Sequence, residues 1–176
     1  MNRLFSIILS LSLILTLTGC WDQVEIDKKA FVVAIGLDKG KDNMLNVTYL
    51  ISNQEYASQQ GGNTNEPATE IIAFTANDVI ASRNLANSVI AKEISYDLLS
   101  AVIVSKSFAS DKRFLRYMYD TTKDREIKRS TSLIVTKEKA KTFIEHNKPK
   151  LETRPHKYFT LIMEHGIKAG LIPNLI

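Results

Sequence analysis

Hydrophobic and polar positions along this chain fall into blocks whose period changes several times. Residues 4–17 are apolar apart from Ser6, Ser10, Ser12 and Thr16, and Arg3 precedes them. Phe31 to Leu37 (F-V-V-A-I-G-L) is a second apolar run. Its length and continuity predict a strand covered on both faces. Leu45, Val47, Tyr49 and Ile51 then alternate with Asn46 and Thr48. That is the period of a strand, and the polar stretch 38–43 before it predicts a hairpin. Residues 54–68 hold Gly61, Gly62, Asn63, Asn65 and Pro67, which predicts an exposed loop.

Glu70 to Thr75 reads as a third strand. Thr75 or Asn77 is placed to cap the helix that follows, with Asp78 in its first turn. At 100° per residue, Val79, Leu85, Ala86, Val89 and Ile90 share one stripe of that helix. Leu98 to Val104 is a fourth strand. Phe108 to Tyr119 is a helix with Phe114, Leu115 and Met118 on its apolar side and Arg113 and Arg116 opposite. Ser132 to Val135 is a fifth strand. Thr136 then caps a helix through His146, with Ala140, Phe143 and Ile144 inward. Pro149 and Pro155 bracket a basic connector, Lys148 to Lys157. A final helix holds Tyr158, Phe159, Leu161, Ile162 and Met163 and ends near Gly166.

The first apolar block reads differently from the rest. A basic start, an apolar run and a small-residue exit make a secretory signal. As a helix, residues 4–17 would span about 21 Å, against about 30 Å for a bilayer core. The exit, Leu17-Thr18-Gly19-Cys20, resembles a bacterial lipobox and holds the only cysteine. This predicts cleavage between Gly19 and Cys20. Cys20 would then carry S-diacylglycerol and N-palmitoyl groups, and more than one acyl chain makes a stable anchor in a lipid bilayer. The expected organisation is a signal peptide over 1–19, a lipid-proximal stalk over 20–29 and a folded domain over 30–176. The expected fold class is α+β, with a mixed β-sheet of about five strands and several packed helices behind the lipoprotein signal peptide.

Charge changes this picture little. The chain has 23 basic and 19 acidic side chains, a balance that does not call for nucleic acid. A mild positive excess adds some attraction to an anionic membrane surface. No catalytic set emerges, so no enzyme activity, cofactor or metal is expected. His146, His156 and His165 lack metal-ligand spacing. Gly36 stands alone, Gly61-Gly62 lacks the Lys-Ser/Thr of a phosphate loop, and Ser105 and Ser107 lack an elbow. Asp124-Arg125-Glu126-Ile127-Lys128-Arg129 is a charge run between a helix and a strand. It reads either as a solvated connection or as a partner-contact surface carried by Arg125, Lys128 and Arg129.

Cys20-Trp21-Asp22, Glu25-Ile26 and Phe31 through Asp38 together resemble the opening of the Ger(x)C family, the lipoprotein C subunits of spore germinant receptors. Leu98 to Lys106, Asp124 to Arg129, Ser132 to Val135, Lys148-Pro149 and Pro155 to Phe159 resemble later segments of the same family. The resemblance covers the mature chain as the family's N-terminal domain. Family members continue into a C-terminal region that is expected to be absent here. The resemblance implies a non-enzymatic subunit tethered to the outer face of the spore inner membrane. It implies assembly with an integral-membrane A subunit and a transporter-like B subunit in nutrient-triggered germination. A solute-binding lipoprotein of a transporter is the alternative, although the chain is short for two lobes around a cleft.

Overall fold

The computed structural model describes residues 28–52, 69–149, 152 and 154–172, together with positions 3, 5 and 7. Six strands form one mixed sheet: β1 (Lys29–Lys39), β2 (Leu45–Ser52), β3 (Thr69–Ala76), β4 (Glu93–Ser95), β5 (Ala101–Ser105) and β6 (Ser132–Thr136). Their order is β3-β2-β1-β5-β6, and the short β4 lies beside the start of β1. β1 to β2 and β2 to β3 are antiparallel. β1 is parallel to β4 and β5, and β5 is parallel to β6. The helices are α1 (Val79–Val89), α2 (Lys106–Ala109), α3 (Phe114–Thr122), α4 (Ala140–His146) and α5 (Pro155–Lys168). The chain is therefore α+β, and its described residues hold six strands where about five were expected.

β1 is the centre of the sheet, which explains its unbroken apolar sequence. Val32 pairs with Ile51 and Ala34 with Leu50, so Val33 is an extra residue in the ladder. Such a bulge switches the side on which alternate residues point. Ala30, Val32, Ile35 and Leu37 join a core with Val47, Tyr49, Val104 and Phe108 on one face. Val33 and Ala34 join Ala101, Ile103, Ile144 and Phe159 on the other. α1, α2 and α3 supply residues to the first core, and α4 and α5 to the second. The buried members of both cores come from residues 30–159.

Several local expectations are corrected. Asp78, rather than Thr75 or Asn77, caps α1, its carboxylate accepting from Ala81 N at 2.7 Å. Asp78 is extended and its side chain reaches the third amide beyond it, which is the N-cap geometry. The buried side of α1 is Val79, Ser82 and Ala86, while Leu85 and Val89 are exposed. The buried face is thus rotated by one flank from the stripe that the periodicity predicts. The fourth strand begins at Ala101, because Asp97 and Leu98 form a turn closed by a Leu99 N–H bond to the Tyr96 carbonyl.

The helix expected over Phe108 to Tyr119 is two helices. Asp111 breaks it by accepting from the backbone N and side-chain Nε of Arg113, both at 3.0 Å. Leu115 consequently points outward and is 77 % exposed. The hairpin turn places Asp42 and Asn43 at positive φ, and the Asn43 carbonyl accepts from Arg113 Nη1 and Tyr117 Oη. That contact fixes the turn to the start of α3.

Candidate functional site

Two clusters of named motif residues are brought together by the fold. The first is the end of β1. At Gly36 an added Cβ would lie 2.8 Å from Ile144 Cδ1 and 3.3 Å from Ala140 Cβ. The missing side chain is what lets α4 lie directly on the central strand. Two residues on, Asp38 is buried, and its two carboxylate oxygens accept from Ala140 N at 2.9 Å and Lys141 N at 3.0 Å. Those are first-turn amides with no partner inside their own helix. Asp38 therefore caps α4 from a distant part of the chain, in place of a side chain at the N-cap residue Lys139. Thr136, expected to cap this helix, is the last residue of β6, and Lys139 at the helix start makes no side-chain cap bond. The G-x-D at the strand end was the visible signal, and its role depended on a helix a hundred residues away.

The second cluster surrounds the charge run 124–129. Arg83 of α1 is half-buried. It donates to Glu126 Oε1 at 2.6 Å and reaches Asp124 Oδ2 at 3.5 Å. Its guanidinium also lies 5.0 Å from the centre of the Tyr96 ring. Burial works against its charge, but the hydrogen bond and the charge of Glu126 outweigh this and raise its pKa. Beneath it, burial pushes the Tyr49 and Tyr96 phenols above the ordinary range. Ile127 packs against the first core, and Lys128 Nζ donates to the Asp97 carbonyl at 2.6 Å. Three of the six residues in the run thus hold the connector onto the domain by polar contacts and a fourth by packing. Arg125 and Arg129 stand exposed. Arg83 was not singled out in the sequence, since a lone arginine in a helix gives no hint of where its partners lie.

Removing the Arg83 cation leaves Asp124 and Glu126 facing a neutral side chain. Arg83→Met is expected to cost about 2 kcal/mol and to loosen the connector. Urea unfolding measures the first effect and protease sensitivity at 123–131 the second. An unchanged midpoint with unchanged cleavage would show that the clamp contributes nothing.

A family model described as the spore germination protein N-terminal domain matches residues 22–175. The chain belongs to this family. Spore germination protein A3 of Bacillus subtilis is 25 % identical over 134 residues, which cover 76 % of this chain and 35 % of that protein. Spore germination protein KC of the same bacterium is 22 % identical over 142 residues, covering 78 % and 35 %. The chain spans about a third of the length of these curated relatives. No solved structure matches it.

In this spore germination domain, Cys20 and the Gly19-Cys20 bond lie outside the described residues, as does most of the 20–29 stalk. Arg125, Lys128 and Arg129 share one exposed connector, with Lys128 engaged on Asp97. Among the described residues, no helix is long and apolar enough to cross a membrane. A crevice of about 230 Å³ lies on the α4/α5 face among Leu50, Ile71, Ile144, Tyr158 and Phe159. Another, of about 320 Å³, lies beside Asp38, Thr48, Thr75 and Lys139.

Proposed function

We propose that this chain is a lipid-anchored, non-catalytic subunit of a spore germinant receptor. Cys20 carries the acyl groups, and the domain sits at the outer face of the spore inner membrane. It acts in nutrient-triggered germination by contact with integral-membrane A and B subunits. The observation that carries the reading is one of position: the family match begins at Asp22, two residues after the Cys20 that ends the lipobox. A lipid at that residue places the whole domain next to the bilayer. Arg125 and Arg129, with Lys128 beside them, are the polar groups offered to the membrane subunits.

Replacing Cys20 by Ala is expected to abolish acylation and leave the signal peptide uncleaved. The protein would then leave the membrane fraction or persist there as precursor, and spores carrying it would respond poorly to nutrients. Labelled fatty acid still entering the Cys20→Ala protein would remove the anchor from the reading. A solute-binding lipoprotein would need a cleft that closes on its ligand. The described residues instead build one sheet with helices on both faces. Calorimetry with a panel of nutrients tests that alternative, and saturable heat would favour it.

A further inference from the structure

The start of β1 lies at one end of the domain, and the topology gathers cations there. β1, β4, β5 and β6 all run in the same direction, so the segments that lead into them share this end. Lys28 and Lys29 open β1, and Lys92 precedes β4, where Lys29 pairs in register with Glu93. Ser132 N donates to the Ser100 carbonyl, which brings Arg129 and the lead-in to β6 alongside. Ser100 Oγ donates to the His156 carbonyl, which brings in the first turn of α5 with Lys157. α4 starts at Asp38, at the opposite end, and Lys148 beyond its last turn lines a crevice with Thr69, the first residue of β3, and Pro155, the first of α5, which places it at this end. The acids at this end include Glu70, Glu93, Asp97 and Glu152; Asp97 is tied to Lys29 at 3.2 Å and Glu152 to Arg154 at 2.9 Å.

We propose that this end of the domain is a docking surface for anionic phospholipid headgroups. Lys28, Lys29, Lys92, Lys148 and Lys157 supply the charge, and Arg129 adds to it where this surface borders the connector offered to the membrane subunits. The inference rests on the anchor reading for the orientation it gives. Between Cys20 and Lys29 lie eight residues, which span at most about 30 Å when fully extended. A tether that short keeps the start of β1 close to the bilayer. The tether itself carries Asp22, Glu25 and Asp27, so the attraction comes from the folded end. Charge near an anionic leaflet acts within about a Debye length, close to 8–10 Å at moderate salt. Headgroup contact would therefore give the domain a fixed face toward the membrane and a fixed face away from it.

The test uses residues 21–176, which contain both cores and lack Cys20, so its result does not depend on acylation. Sedimentation with phosphatidylcholine vesicles, with and without phosphatidylglycerol, measures binding. Arg129→Gln, Lys148→Gln and Lys157→Gln are combined in one variant, avoiding the Lys29 and Lys128 contacts to Asp97. Lys137→Gln, Lys139→Gln and Lys141→Gln, at the opposite end, form the control. The wild type is expected to bind only the vesicles with phosphatidylglycerol and to release them in high salt. The first variant should bind on the order of a hundredfold more weakly, and the control should bind like the wild type. Equal losses in the two variants would mean that charge acts without regard to face, and would overturn the proposal. So would the absence of phosphatidylglycerol-dependent binding. Capture by spore membranes without binding to pure vesicles would reassign this end to a protein partner. Failure of acylation at Cys20 would show separately, in the labelling of the full chain.

Discussion

Val33→Asp is expected to unfold the domain under conditions where the wild type is stable. Val33 is fully buried at the bulge of the central strand. It faces the second core, with Ala34, Ala101, Ile103, Ile144 and Phe159. An aspartate there must either lose its charge or sit unpaired among hydrocarbon groups. Either outcome costs about 4 kcal/mol or more, against a total stability on the order of 5–15 kcal/mol. Val33→Ala removes volume without adding charge and should cost about 2 kcal/mol. The two variants therefore separate the effect of charge from that of a cavity. Thermal and urea melts of both give the comparison. A Val33→Asp protein melting with the wild type would show that this side of β1 is not core.

The second large effect is expected at Gly36. Gly36→Val places a branched side chain where Ile144 Cδ1 and Ala140 Cβ already sit. Ile144 can turn aside, but Ala140 belongs to the backbone course of α4, so the helix must lift. Overpacking of this kind costs about 2–3 kcal/mol. Lifting the helix also draws Ala140 N and Lys141 N away from Asp38. Gly36→Ala is the milder form. It meets mainly Ile144 Cδ1, which Ile144→Val deletes. The double variant Gly36→Ala with Ile144→Val should therefore be more stable than the sum of its single changes predicts, by about 1 kcal/mol. Strict additivity in the melts would mean that the close approach at Gly36 is not what places α4.

How much of this was legible depended on whether the cause lay nearby in sequence. β1, β2, β3 and β6 were visible because each carries its burial pattern within its own residues. The hairpin turn was visible for the same reason. The N-cap of α4 was not, because the carboxylate that serves it belongs to Asp38, at the end of another element. The outward turn of Leu85 and Val89 was also hidden. α1 carries apolar residues over most of its circumference, and periodicity alone cannot choose which flank meets the sheet. The break at Asp111 followed from a local arginine contact that competes with helix continuation. At the candidate partner surface, the charge run was evident, but its division was not. Asp124, Glu126 and Lys128 turn inward to partners on other elements, leaving Arg125 and Arg129 outward.

The bond from Asp38 to Ala140 closes a span of 102 residues. α4 has only seven residues, far fewer than an isolated helix needs to persist in water. It therefore has no stable existence before the sheet presents both the bare surface at Gly36 and the carboxylate at Asp38. During synthesis, the first strand emerges long before the helix it will cap, and Asp38 waits unpaired until that helix is made. Once joined, the two cannot part separately. Fraying of α4 strips Asp38 of its donors, and loss of β1 from the sheet strips the helix of its cap. Residues 102 positions apart are thus linked in a single cooperative unit, so that a pull applied along β1 is felt directly at the start of α4.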